Sequence, residues 1–375
     1  MRSHGVGYDT GIVLADRTTR AAFDEQAVRR ELHIIRADLH ADAVRVYGNH
    51  RDRLTTAGRL AVEAGLELWL APFPVDVAAG DLPAYLATYA AAAEALRTGG
   101  ANEDGPEIVL VLGCELSLSS RGFVPGDTWG QRAAALTDPA SFADPARFAE
   151  LQRGLERWRD TQQAIVSAAR AEFGGRLTYA AGMWEEVDWS LFDVVSVDAY
   201  RDATNASSFA DTVRGWQAHG KPVAVTEFGC ATYRGAADRG GTGWAVVDRG
   251  VDPPRLDGEY LRDEQEQVRY LREVLPVLEA EGVDTAFWFS FAGYELPHRP
   301  QDPVHDLDVS SYGLVAVLDG GNGARYEATG WEPKAAFDAL AQLYDGRGTT
   351  GGPQRRAVAE GSGRFRSSAD GGTSR

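Results

Sequence analysis

Short apolar runs alternate with longer helix-like segments about eight times along this chain of 375 residues. The runs fall at 6–8, 43–47, 66–72, 108–112, 177–182, 194–199, 222–228 and 285–291. The helix-like segments fall at 25–38, 53–64, 82–97, 145–173, 209–219 and 259–281, with a closing one at 333–344. Runs such as Val223-Ala224-Val225 lack polar alternation, as strands do when helices cover both faces of a parallel sheet. Strand–helix alternation implies a parallel sheet with crossover helices. A count of eight predicts an α/β fold closed into a single (β/α)8 TIM barrel. An open dinucleotide-binding sheet fits less well. Gly5-Val6-Gly7 is followed by Tyr8-Asp9-Thr10, so the third glycine of that fingerprint is misplaced.

The barrel is expected over residues 1–345, with a disordered tail of Gly, Ser, Thr and Arg over 346–375. Asp24 is a plausible N-cap for the first helix, where Val28, Leu32 and Ile35 recur at helical spacing. Two connections are long, 117–144 after the fourth strand and about 231–258 after the seventh. Both are expected to be loops bordering a site.

Composition narrows the partners. A net charge of −17 argues against nucleic acid, which needs clustered Lys and Arg, and against an anionic membrane. The first residues, Met1-Arg2-Ser3-His4-Gly5, carry no apolar run of the signal-peptide kind. No apolar run reaches the ~18 residues of a membrane span. A cytoplasmic protein is expected, and nothing calls for an oligomer, so a monomer. The two cysteines, Cys114 and Cys230, are too few for a disulfide framework and read as buried packing residues.

Chemistry concentrates at strand ends. Glu115 follows the fourth strand and Glu227 ends the seventh. In a barrel those C-terminal ends ring the mouth where active sites are built. Two carboxylates facing each other there suit glycoside hydrolysis: one protonates the leaving oxygen, the other attacks the anomeric carbon. Asp9 after strand one, Asp198 near the end of strand six and Trp184 after strand five are further candidates to line the mouth. Glu185 and Glu186 read equally well as a solvated pair. No metal and no cofactor are expected. No His-Glu-x-x-His is present, and His298 and His305 sit in the loop after strand eight. Schiff-base chemistry would need a buried lysine at the mouth; the chain has only Lys221 and Lys334, neither at a strand end.

Glutamates after strands four and seven resemble the signature of clan A glycoside hydrolases, the 4/7 superfamily of retaining barrels. The likeness spans roughly 6–344. It implies Glu115 as acid/base and Glu227 as nucleophile. Arg45 on strand two then matches the clan's Arg near the nucleophile, and Tyr200 its Tyr that contacts the nucleophile. Trp288 on strand eight matches its sugar floor. Each also has a plainer reading: ion-pair partner for Arg45, packing for Tyr200 and Trp288. The clan usually has Asn before the acid/base; Cys114 stands there instead, and a thiol is a poor donor. The runs Gly7-Tyr8-Asp9-Thr10-Gly11, Glu115-Leu116-Ser117-Leu118, Val197-Asp198-Ala199-Tyr200-Arg201, Thr226-Glu227-Phe228-Gly229-Cys230 and Trp331-Glu332-Pro333-Lys334-Ala335-Ala336-Phe337 also look like a bacterial family labelled abortive infection proteins. That label implies no chemistry. The expected function is a retaining glycosidase of carbohydrate metabolism acting on a small glycoside. The alternative is a non-catalytic carbohydrate-binding or phage-defence barrel.

Overall fold

A computed structural model describes residues 1–15, 17–99 and 105–346. Eight parallel strands close into a barrel: β1 (Ser3–Asp9), β2 (Ala43–Gly48), β3 (Glu67–Pro72), β4 (Ile108–Cys114), β5 (Arg176–Gly182), β6 (Val195–Asp198), β7 (Val223–Phe228) and β8 (Thr285–Trp288). Each strand pairs with its neighbours in sequence, and β8 closes on β1. The expected TIM barrel is what the chain forms.

Helices α1 (Glu25–Ala37), α2 (Arg51–Glu63), α3 (Leu82–Gly99), α4 (Pro145–Glu172), α5 (Phe209–Trp216), α6 (Glu264–Ala280) and α7 (Ala335–Asp345) cover the strands. The Asp24 side chain accepts from Ala27 N at 2.8 Å and caps α1, whose Val28, Leu32 and Ile35 are buried. Among the described residues the β5–β6 connection carries only a short 3-10 turn, Trp189–Leu191.

Strand alternation divides the core in two. Val44, Val46, Leu68, Leu70, Leu110, Leu112, Val195, Val197, Val223 and Val225 face the helices. Ala43, Tyr47, Trp69, Val109, Val111, Ala180, Ala224 and Phe287 fill the barrel, with Trp69 and Phe287 meeting edge-on at 5.0 Å. Burying both faces explains why the strands lack polar alternation.

Several boundaries and loops differ from expectation. The segment after β4 is not a plain loop: it holds helices Leu116–Ser119, Trp129–Thr137 and Pro139–Ala143. A reciprocal capping box, Thr128 with Gln131, starts the second, and Asp138 caps the third. The connection after β7 holds a 3-10 segment, Ala237–Thr242, and a small hairpin, Val247–Asp248 with Arg255–Leu256. Helix α6 begins at Glu264 because Asp263 caps it. β8 ends at Trp288, and the chain then builds a separate three-stranded sheet from Ala292–His298, Val315–Leu318 and Trp331–Pro333. The expected tail lies outside the described residues apart from Gly346, which follows α7. No helix among the described residues is long and apolar enough to cross a membrane.

Candidate active site

Both candidate glutamates are aimed by an irregularity in their strand. Along β4 the register with β5 steps from Val111↔Thr178 to Cys114↔Ala180, one extra residue on β4. Along β7 it steps from Val225↔Val197 to Glu227↔Asp198, again one extra residue, and the pairing with β8 shows the same step. A bulge rotates the residues beyond it to the other face and is common beside active sites. Strict alternation from Ala224 would send Glu227 outward; the bulge at Thr226 turns it into the mouth and Phe228 to the outer core. Gly113, at φ +92°, permits the β4 bulge: a Cβ there would stand 2.6 Å from Leu116.

Glu227 is 9% exposed and firmly held. Arg45 Nη1 donates to its Oε1 at 2.7 Å, and Tyr200 OH donates to its Oε2 at 2.8 Å. Cys114 Sγ donates to Asp198 Oδ2 at 3.2 Å and lies 3.7 Å from Glu227 Oε1. Arg45 is fully buried. Burial opposes its charge, but the Glu227 carboxylate bonded to it outweighs that and holds the guanidinium protonated.

Glu115 starts the short helix after β4 with a left-handed backbone, φ 46° and ψ 49°, uncommon for a residue with a side chain and often associated with function. The turn is braced from below. Glu115 N donates to Ala180 O at 2.9 Å. Leu116 N donates to Tyr179 OH at 2.6 Å, and Tyr179 OH donates to Glu185 Oε2 at 2.7 Å. Glu185 also accepts from Ser117 N and Gly182 N, each at 2.9 Å. Burial first, and then the neighbouring carboxyls, Glu227 among them, push the Glu115 carboxyl well above its ordinary range, while Arg45 pulls it down. The two glutamates thus have opposite surroundings: one clamped by a cation, the other repelled by its neighbours.

The structure therefore brings together Glu115, Glu227, Arg45, Tyr200 and Asp198. Asp9 caps the mouth at the end of β1, accepting from Gly11 N at 2.7 Å; burial raises its carboxyl to about 6. Trp184 is 44% exposed, with its Nε1 3.4 Å from Ser117 Oγ, at the rim beside the Glu115 turn. Trp288 does not line the mouth. It is fully buried, donates from Nε1 to Tyr312 O at 3.0 Å, and packs edge-on against Phe228 and Tyr270 of α6. The aromatic facing inward is the next residue, half-buried Phe289, stacked on Tyr47 at 5.7 Å and edge-on to Tyr312 at 6.0 Å. Glu185 and Glu186 are not a solvated pair: Glu185 is the brace just described, and Glu186 pairs with Arg159 on the surface. Sequence reading missed Tyr47, Phe289 and the role of Glu185. Only Tyr47, an aromatic at the end of β2, carried any signal.

Cys114, Asp198 and Glu227 could bring one ligand atom each within 4.8 Å of one another, but the Arg45 guanidinium already supplies the positive charge there. His298 and His305 each pair with their own acid, Asp306 and Asp302, both at 2.9 Å. Lys334 is buried on Asp308 at 3.1 Å and Thr232 at 2.8 Å. Lys221 donates to backbone carbonyls of Trp189 and Ser190.

No family model and no curated protein matches this chain, so the abortive-infection likeness gains no support. Solved structures do match. A GH113 β-1,4-mannanase superposes with a TM-score of 0.57 at 16% identity, covering 92% of this chain and 99% of the mannanase. A β-glucuronidase from Ruminococcus gnavus gives 0.51 at 14% identity, covering 92% of this chain and 50% of its own. An exo-β-1,4-mannosidase from Opitutaceae bacterium strain TAV5 gives 0.50 at 15% identity, covering 92% and 60%. The chain thus spans nearly all of the mannanase and about half to three fifths of the other two. The likeness is one of fold: this is a barrel of the type found in glycoside hydrolases.

Proposed function

We propose that the protein is a retaining glycoside hydrolase, with Glu227 as nucleophile and Glu115 as acid/base. One observation carries the reading: of two acids at one mouth, Glu227 is held by Arg45 and Tyr200, while Glu115 pairs with no cation among the described residues, and burial pushes its carboxyl well above the ordinary range. Paired carboxyls with divergent surroundings are how such enzymes divide acid and nucleophile. In the first step a Glu227 oxygen bonds to the anomeric carbon as that carbon's bond to the leaving oxygen breaks, and Glu115 gives that oxygen its proton. In the second step Glu115 takes a proton from water as the water displaces Glu227, which leaves with its electron pair. Two inversions retain the configuration. Arg45 and Tyr200 stabilise Glu227 as it leaves.

Asp9, Tyr47, Phe289 and Trp184 supply polar and aromatic surface for a small sugar, which needs both. The neighbours in fold act on β-mannosides and β-glucuronides by name, which makes those two classes the first to try. A screen of p-nitrophenyl glycosides tests the reading with wild type, Glu115→Ala and Glu227→Ala. Wild type should turn over at least one, Glu227→Ala none, and azide should restore part of it. Equal rates in all three would reject it. The second reading, a binding barrel without turnover, is favoured by Cys114, which replaces an amide with a thiol beside the acid.

A further inference from the structure

Asp198 ends β6 in register with Glu227 and is 2% exposed. The charged and titratable groups around it are Arg45 from β2, Cys114 at the end of β4, Glu115 just beyond it, Tyr200 beyond β6 and Glu227 from β7. Arg45 spends its bond on Glu227, and its Nε and Nη2 are buried without partners. Asp198 Oδ2 accepts from the Cys114 thiol; the nearby Thr226 hydroxyl also pulls its carboxyl down, but neither that hydroxyl nor the buried Oδ1 has a partner within hydrogen-bond geometry. A buried carboxylate needs a cation or several strong donors, and one thiol is a weak donor. Around Asp198 stand two further carboxyls, Glu115 and Glu227, and one guanidinium, that of Arg45, which bonds Glu227.

We propose that Asp198 is held as an uncharged carboxylic acid that positions Glu227, so that the one carboxylate charge beneath the mouth sits on Glu227 opposite Arg45. A neutral Asp198 leaves the guanidinium's field undivided and spares Glu227 a negative neighbour. Cys114 suits the space between the two acids because a thiol demands little hydrogen bonding. Burial first, and Glu227 second, push the Asp198 carboxyl well above its ordinary range against the pull of Arg45, and burial likewise keeps Cys114 a thiol. Asp198 acts through Glu227 and touches no substrate atom in this account.

The test is Asp198→Asn in the full chain, with Tm measured by calorimetry at about pH 5 and about pH 8. Native Asp198 keeps a proton that the unfolded chain releases above about pH 3.9. Its contribution therefore makes the wild type less stable as pH rises from there toward the native value. Asn has no such proton. The Tm of the variant relative to wild type should rise between the two pH values by roughly 5–6 °C. A relative Tm that stays constant, or that falls at the higher pH as the loss of an ionised partner of Arg45 would make it, overturns the proposal. Should the variant not fold, infrared spectra of wild type with carbon-13-labelled aspartate decide. A protonated carboxyl band persisting at about pH 8, above the Asp9 value of about 6, supports it, and its absence overturns it. Neither readout needs turnover, so an inactive protein would sink the glycosidase reading and leave this one to its own measurements.

Discussion

Arg45 and Glu227, 182 residues apart in the chain, meet at 2.7 Å inside the barrel mouth, the guanidinium wholly buried. No other described side chain bonds that guanidinium. Removing one partner of a buried pair strands the other's charge. Arg45→Ala should lower stability by about 3–5 kcal/mol. Adding Glu227→Gln should recover part of that loss, because no unpaired charge then remains. Denaturant unfolding of the two variants checks both expectations; a loss that Glu227→Gln deepens would contradict the pairing.

Tyr200→Phe deletes the 2.8 Å bond to Glu227 Oε2 and little else. A hydrogen bond to a charged group contributes about 1.5–3 kcal/mol, which corresponds to roughly a 10- to 100-fold fall in kcat/KM. The circular dichroism spectrum should be unchanged. A variant as active as wild type would remove Tyr200 from the site.

Glu115 must be protonated to act as acid, and its carboxyl lies well above the ordinary range. Activity should therefore survive above the usual carboxylate range and be lost as pH climbs through the Glu115 value. In Glu115→Gln that basic limb should vanish, with residual turnover only on aryl glycosides whose leaving group needs no proton. A pH–rate profile of both proteins reads this directly; an unmoved basic limb in the variant would assign it to another group.

Trp288 and Phe289 should separate cleanly. Trp288→Ala empties a fully buried site and should cost about 3–5 kcal/mol. Phe289→Ala, half-buried at the mouth, should raise KM for an aryl glycoside with a smaller effect on stability. The reverse outcome would restore Trp288 to the sugar site.

The barrel was legible because eight doubly buried strands leave an unmistakable apolar rhythm. The strand-end acids were legible for a related reason: a charged residue closing an apolar run is conspicuous, as with Glu227 after Val223-Ala224-Val225. What was hidden is backbone irregularity. The bulges at Gly113 and Thr226 shift register by one residue, and nothing in the run Val225-Thr226-Glu227 announces that. The aromatic at the end of β8 was misassigned for another reason: the resemblance pointed to Trp288, whereas plain alternation from Phe287 puts Trp288 in the outer core and Phe289 at the mouth. Glu185 was unreadable because its partners, Tyr179, Ser117 and Gly182, come together only in the folded chain. The helices at Trp129–Thr137 and Pro139–Ala143 did carry capping residues, Thr128 and Asp138, beneath a glycine- and proline-rich surface pattern.

The division of labour between the two glutamates is tested most directly by trapping. Incubation with activated 2-deoxy-2-fluoro-β-mannosides and β-glucuronides, followed by peptide mass spectrometry, should find one sugar bound covalently to Glu227 in wild type and in Glu115→Gln. Turnover of the matching aryl glycoside with no adduct on Glu227, or an adduct on Glu115 instead, would contradict it.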